Sequence, residues 1–65
     1  MDKFEKFIVA VENANTTFSK VADSLGVSLK ELLIKVINDF DFFSQEMLVL
    51  TKILNLKDPY AFFYE

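Results

Sequence analysis

Three acidic residues that follow one another closely are the first candidates for chemistry, because carboxylate oxygens are the ligands that hard cations prefer. They are Asp39, Asp41 and Glu46. A calcium-binding loop needs ligands at every second position around a central glycine and a glutamate at its end, and this segment has neither the spacing nor the glycine. We therefore expect no metal and no other cofactor, and we interpret Asp41 as a loop or capping residue.

Catalysis by a nucleophile or a general base has no credible set of residues in this sequence. The chain contains no His and no Cys, which excludes imidazole catalysis, Cys/His zinc sites and disulfide bonds. Its serines and threonines have no histidine partner, and its single glycine cannot make a glycine-rich phosphate loop. The sequence therefore predicts a protein that is not an enzyme and has no small-molecule substrate.

The basic residues are candidates for binding phosphate, and their type decides how well they would do so. All seven cationic side chains are lysine, and ten acids bring the formal net charge to -3. The planar guanidinium of arginine makes paired hydrogen bonds to guanine edges and to phosphates, which a lysine ammonium cannot copy. Specific DNA binding is therefore doubtful from composition alone.

The elements that position these side chains must be short, since 65 residues predict one domain over positions 1–65. A hydrophobic content of 52% with eight phenylalanines supplies a core and excludes disorder. The longest apolar stretch near the N-terminus covers residues 7–11, far below the roughly 20 residues of a membrane-spanning helix. We expect a cytoplasmic protein without a membrane segment.

Apolar periodicity predicts an all-α fold of five short helices. The first covers residues 2–14, with its apolar stripe at positions 4, 7, 8 and 11 and with Lys3 and Lys6 pointing away from that stripe. In residues 38–43, Asn and Asp break the helical period and predict a loop.

The last two helices are predicted from their capping residues. Ser44 is the expected N-cap of the fourth helix, whose stripe falls at positions 47, 50, 53 and 54 with Glu46 facing away. Asp58 then caps a fifth helix, because the proline after it fits the first helical position. We expect Phe62 to pack in the core, whereas the pattern leaves Phe63 and Tyr64 open between packing and docking.

Residues 17–38 form the central feature, a pair of helices joined by a tight turn. Thr17 is the expected cap of the first helix of the pair. Gly26 stands where a helix ends in the left-handed conformation, which glycine adopts without a steric penalty. Ser28 and Glu31 make the S-x-x-E capping box that begins the next helix. The pair is predicted to be a helix-turn-helix.

The framework of this pair and of the C-terminal half resembles small phage-type Cro/cI-like (lambda-repressor-like, XRE-type) helix-turn-helix proteins. The resemblance covers roughly residues 17–63 without gaps. It implies a lambda-repressor-like helix-turn-helix domain. The matching positions are Thr17, Val21, Ala22, Leu25, Gly26, Val27, Ser28 and Leu32, then Asp41, Phe42, Glu46 and Met47, then Lys52 to Leu56, Asp58, Pro59, Phe62 and Phe63.

The chain departs from this family where the family meets DNA. Members read the major groove mainly with polar or basic residues at positions 29, 30 and 34, where this chain has Leu29, Lys30 and Ile34. They hold phosphates in the following turn, positions 37–43, where this chain has two acids and no base. The resemblance therefore implies a scaffold whose DNA-reading surface has become apolar and rimmed by acids.

An exposed apolar patch is predicted on this altered surface. Leu32 and Val36 face the core, and Ile34 lies about 160° from Leu32 around the helix. Such a patch is typical of the centre of a protein interface. If the third helix lay deeper than in the family, the same residues would instead be core. The predicted partner-binding residues are Leu29, Lys30, Ile34, Ile37 and Phe40, with Phe43 near the edge.

Two lysines on the third helix have alternative interpretations. We favour a solvated face that Lys30 and Lys35 share with Glu31, since isolated lysines are usually exposed. In the DNA-binding alternative, Lys30, Ile34 and Lys35 would contact the duplex.

The sequence as a whole predicts a small phage or prophage regulatory or inhibitor protein that acts by protein–protein binding. Its partner would be a host or phage regulator or a nuclease, so that an antirepressor or an inhibitor of a host DNA-binding defence protein fits. The alternative is a Cro-type DNA-binding transcriptional regulator that acts as a homodimer. A third hypothesis assigns the patch only to self-association.

Overall fold

The structure, a computed structural model, describes residues 2–65, and these form five helices and no strand. The predicted all-α class is confirmed. α3 packs against α1 and α2, and α2 also packs against α4. Within residues 2–65 no helix has the length and apolar character needed to cross a membrane. The helices are α1 (Lys3–Asn13), α2 (Phe18–Leu25), α3 (Leu29–Ile37), α4 (Ser44–Ile53) and α5 (Pro59–Tyr64).

The turn between α2 and α3 is set by local chemistry, as predicted. Gly26 has a φ of 73°, and its amide donates to carbonyls at the end of α2. The Ser28 hydroxyl accepts from the amide of Glu31 at 3.1 Å, and the Glu31 carboxylate accepts from the amide of Ser28 at 3.1 Å. Each partner therefore satisfies one amide that the first turn of a helix leaves free.

The start of α4 differs from the prediction by one residue. Phe43 is the N-cap, and Ser44 is the first helical residue. The amide of Phe43 donates to Oε1 of Glu46 at 2.8 Å. The carboxylate of Glu46 in the first turn therefore binds the amide of the N-cap residue, and no hydroxyl side chain takes part. Glu46 therefore does not face away from the protein, and its side chain is mostly buried.

One hydrophobic core joins the helices, and phenylalanines dominate it. Phe7 is fully buried, and the ring centroids of Phe18 and Phe40 lie 5.5 Å and 5.9 Å from its own. At such distances aromatic pairs attract one another beyond the area that they bury. Phe62 packs in the core as predicted, and Phe63 joins it. The buried set is Phe7, Val11, Val21, Ala22, Leu32, Val36, Phe40, Phe42, Leu50, Leu54, Phe62 and Phe63.

The two lysines of α1 point toward α5, which corrects the prediction that they face away. Nζ of Lys6 donates to the carbonyl oxygens of Ala61 at 3.2 Å and of Phe62 at 2.8 Å. Nζ of Lys3 donates to the carbonyl oxygen of Phe63 at 3.0 Å. The last carbonyls of a helix lack partners within it and lie at the negative end of its dipole, so they attract cations. α1 thus caps the end of α5.

Candidate protein-binding surface

α3 carries apolar side chains on two opposite faces. Leu32 and Val36 are buried in the core, whereas Ile34 is 47% exposed and Ile37 is 69% exposed. The first two residues of α3 are exposed as well. We call the exposed set the α3 outer face. It consists of Lys30, Ile34 and Ile37, which share one side of the helix, together with Leu29, which is exposed at the N-terminal end of α3.

Phe40 does not belong to the α3 outer face, and the prediction that it is exposed is wrong. Its side chain is only 7% exposed, and its ring centroid lies 5.3 Å from that of Phe62. The cause is the backbone, because Asp39 and Phe40 are both left-handed, with φ of 62° and 60°. Such residues are strained unless packing holds them. The buried ring of Phe40 supplies that packing.

Lys35 is not the solvated cation that was predicted. Its Nζ atom lies 3.3 Å from Oε1 of Glu46 and 4.6 Å from the ring centroid of Phe43. It also donates to the carbonyl oxygen of Asp41 at 3.4 Å. Both side chains of the ion pair are mostly buried, so breaking the pair would leave a charge without its partner. Lys35 thus ties α3 to α4 and is not free to contact phosphate.

Phe43 is exposed, but it lines a different groove from Ile37. Its ring borders a shallow groove between α2 and α4 that Ser24 and Leu25 also line. Lys35, which contacts this ring, lies about 160° from Ile37 around α3. Phe43 therefore lies on the opposite flank of α3 and does not extend the α3 outer face at Ile37.

The acids considered as a cation site have other partners. Oδ1 of Asp39 lies 3.4 Å from Nζ of Lys3, and Glu46 pairs with Lys35. Asp41 is exposed in the loop. Among residues 2–65, no group of three or more His, Cys, Asp or Glu side chains is placed to hold a metal ion.

Glu31 places a negative charge on α3 close to the outer face. Hydrogen bonds with the backbone and, secondly, the side chain of Ser28 lower the pKa of Glu31 from its ordinary value of 4.5, because they favour the charged form. The charge of Lys35 contributes in the same direction. The carboxylate therefore stays ionised to a lower pH than that of a free glutamate.

A second exposed apolar surface, which the sequence patterns did not reveal as a unit, lies between α4 and α5. Leu48 is 65% exposed, and with Tyr60 and Tyr64 it lines a groove of about 280 Å³. The two tyrosine ring centroids are 5.1 Å apart. Helical periodicity contains part of this signal, since Leu48 lies about 160° around α4 from the buried Leu50.

The sequence matches no protein-family model, and no curated protein and no solved structure matches it significantly. The exposed side chains themselves are therefore the features that bear on function. Of the six residues predicted to form the binding surface, four lie on the α3 outer face: Leu29, Lys30, Ile34 and Ile37. Phe40 and Phe43 do not belong to it.

Proposed function

We propose that this chain is a small regulatory or inhibitor protein of phage or prophage type that binds another protein through the α3 outer face. The observation that carries the proposal is the exposure of Ile34 and Ile37 on a helix whose opposite face already fills the core. Large contiguous apolar patches are uncommon on free monomers. Burying an isoleucine side chain contributes about 1.5–3 kcal/mol, so a partner that covers both side chains gains substantial affinity.

The scaffold supports the same proposal. α2 and α3 meet through a left-handed glycine and a capping box, and the framework resembles Cro/cI-like helix-turn-helix proteins. In helix-turn-helix proteins the second helix of the pair is the one that meets DNA. We propose that α3 has retained this outward position and has exchanged a nucleic-acid surface for a protein surface. An antirepressor or an inhibitor of a host DNA-binding defence protein would have this property.

The Cro-type alternative fits these side chains less well. Lys30 is exposed on α3, but Lys35 is engaged by Glu46, and Ile34 offers no hydrogen bond to a base edge. The net charge of -3 also opposes approach to a phosphate backbone. Protein binding is therefore the function that these residues favour.

Affinity capture with matched variants tests the proposal. The baits are the wild type, Ile34→Ser with Ile37→Ser, and Leu48→Ser, which alters a side chain of α4 that is exposed to a similar extent. Supporting evidence is a protein that the wild type and Leu48→Ser retain and the double variant loses, provided that the purified protein rebinds in the same order. A partner that all three baits retain equally would contradict the proposal. Enrichment of one DNA sequence motif by the wild type, in a selection from random DNA, would contradict it as well.

A further inference from the structure

A groove of about 460 Å³ continues the α3 outer face toward the start of α1. Ile37 and Val36 of α3 line it on one side, and Phe4 of α1 lines it on the other. Phe4 is partly exposed. Carboxylates of Asp2 and Asp39 also line the groove. It therefore combines an apolar surface with two acids beside Ile37, the most exposed of the large apolar side chains of α3.

The fold holds the carboxylate of Asp2 and the backbone of Asp39 in place. Oδ1 of Asp2 accepts from the amide of Glu5 at 2.8 Å as the N-cap of α1. Asp39 lies in the left-handed turn that the burial of Phe40 maintains, and its side chain is 85% exposed. Groups that are already ordered lose little conformational entropy when a ligand binds them.

Lys3 also lines this groove, but its ammonium group already has partners in α5 and in the core. Nζ of Lys3 donates to the carbonyl oxygen of Phe63 at 3.0 Å and lies 5.2 Å from the ring centroid of Phe40. It touches Asp39 from this inward side at 3.4 Å. A carboxylate has about four lone-pair sites, so Asp39 keeps acceptor capacity on its exposed side for a second cation.

We infer that this groove receives an arginine or lysine side chain of the partner protein, with its aliphatic stem against Ile37 and its charged head at Asp39. Phe4 and Asp2 complete the same contacts on the α1 side. Long basic side chains bury their stems on apolar surfaces while their heads stay polar, and arginine binds carboxylates through paired hydrogen bonds.

The inference rests on the proposed function and specifies the partner's surface, which is basic as well as apolar. The net charge of -3 favours approach of such a surface. DNA-binding proteins carry basic surfaces of this kind.

Titration of the isotope-labelled full chain with two synthetic peptides, followed by amide NMR, tests the inference. Both peptides are amphipathic helices with the same leucine ridge, and the remaining positions are arginine in one and glutamate in the other. Asp39→Asn removes the negative charge that would attract the basic side chain and keeps the turn, because asparagine tolerates positive φ. The matched control is Asp23→Asn, which removes the same charge from an exposed position of α2.

We expect the arginine peptide to shift the amide signals of residues 36–39 and of the first turn of α1, and the glutamate peptide to bind about 10-fold more weakly or worse. Asp39→Asn should weaken binding of the arginine peptide by about 5-fold or more, and Asp23→Asn should weaken it by less than about 2-fold. Equal binding of both peptides on the α3 outer face would overturn the inference and leave the proposed function standing. Shifts confined to other surfaces, or none at all, would also overturn it, while the capture experiment decides the proposed function separately.

Discussion

Nζ of Lys6 in α1 lies 2.8 Å from the carbonyl oxygen of Phe62 in α5, so a hydrogen bond joins the first helix of the chain to the last. The same ammonium group reaches the carbonyl oxygen of Ala61 at 3.2 Å and lies 5.5 Å from the ring centroid of Phe62. Hydrogen bonds to charged groups contribute about 1.5–3 kcal/mol. α5 is short and depends on such contacts, because a helix of this length is not stable alone.

Replacing Lys6 by methionine keeps an unbranched apolar side chain and removes the charge. We expect Lys6→Met to lower the free energy of unfolding by about 1.5 kcal/mol, the lower end of that range, because Lys6 is only partly buried. Each kcal/mol lowers Tm by about 4–8 °C in a domain of this size. Lys20→Met on the exposed side of α2 is the control and should melt like the wild type. Identical melts for both variants would show that Lys6 does not stabilise α5.

Phe40→Ser and Ile34→Ser should lower the stability of the protein by very different amounts. Phe40→Ser removes a buried ring from the aromatic core and should lower the free energy of unfolding by about 3–5 kcal/mol, most of what a small domain has. Ile34→Ser alters a side chain that is about half exposed and should lower the free energy of unfolding by only about 1 kcal/mol. Thermal and urea melts measure both. A native-like melt of Phe40→Ser would place the ring outside the core.

Features that depend on neighbours in the chain could be predicted from the sequence. The turn at Gly26 and the capping box of Ser28 and Glu31 involve residues a few positions apart, so residue type and spacing determine them. Contacts between distant segments could not be predicted in this way. Lys6 is 56 positions from Phe62, and nothing in the period of α1 reveals that α5 ends beside it.

In the candidate site, too, the features that depend on neighbouring residues could be predicted and the contacts between distant residues could not. The exposure of Ile34 and Ile37 follows from the period of α3. The burial of Phe40 does not, because Asp39 and Phe40 both have a positive φ. Asp adopts this conformation more readily than most residues, but nothing in the residue type of Phe40 indicates it. The ion pair of Lys35 also cannot be predicted from the period of α3, because its partner Glu46 lies in another helix. The binding role of the surface stays a prediction.

Substitution of Gly26 should reveal a purely conformational cost. A Cβ atom at this position would meet no other heavy atom within 4 Å, but the φ of 73° strains residues that have one. We expect Gly26→Val to lower the free energy of unfolding by at least about 1 kcal/mol. Gly26→Asn should cost less, because asparagine adopts this conformation more readily. Equal stability of the valine variant and the wild type, by chemical denaturation, would contradict this view of the turn.

The capping carboxylate of Glu31 predicts a pH dependence of stability. Its pKa is lowered in the folded chain, so the unfolded chain binds protons more readily in the acidic range. The stabilisation is therefore complete above the unfolded value of about 4.5 and is lost as pH falls through the lower folded pKa. Glu31→Gln does not titrate, so its stability difference from the wild type should shrink between about pH 6 and about pH 3. A difference that does not vary with pH would count against the capping contact.

Isothermal titration calorimetry with the purified captured partner tests most directly whether the α3 outer face binds it. The wild type and Leu48→Ser should bind with affinities within about 2-fold of each other, since Leu48 lies on α4. Ile34→Ser with Ile37→Ser should bind about 20-fold more weakly or worse, because a partner can cover only the exposed 47% and 69% of these two side chains. Returning that surface to water costs about 1.7–3.5 kcal/mol, and each 1.4 kcal/mol is a factor of ten. If the double variant is folded and binds as tightly as the wild type, or if Leu48→Ser loses binding instead, the α3 outer face is not the interface.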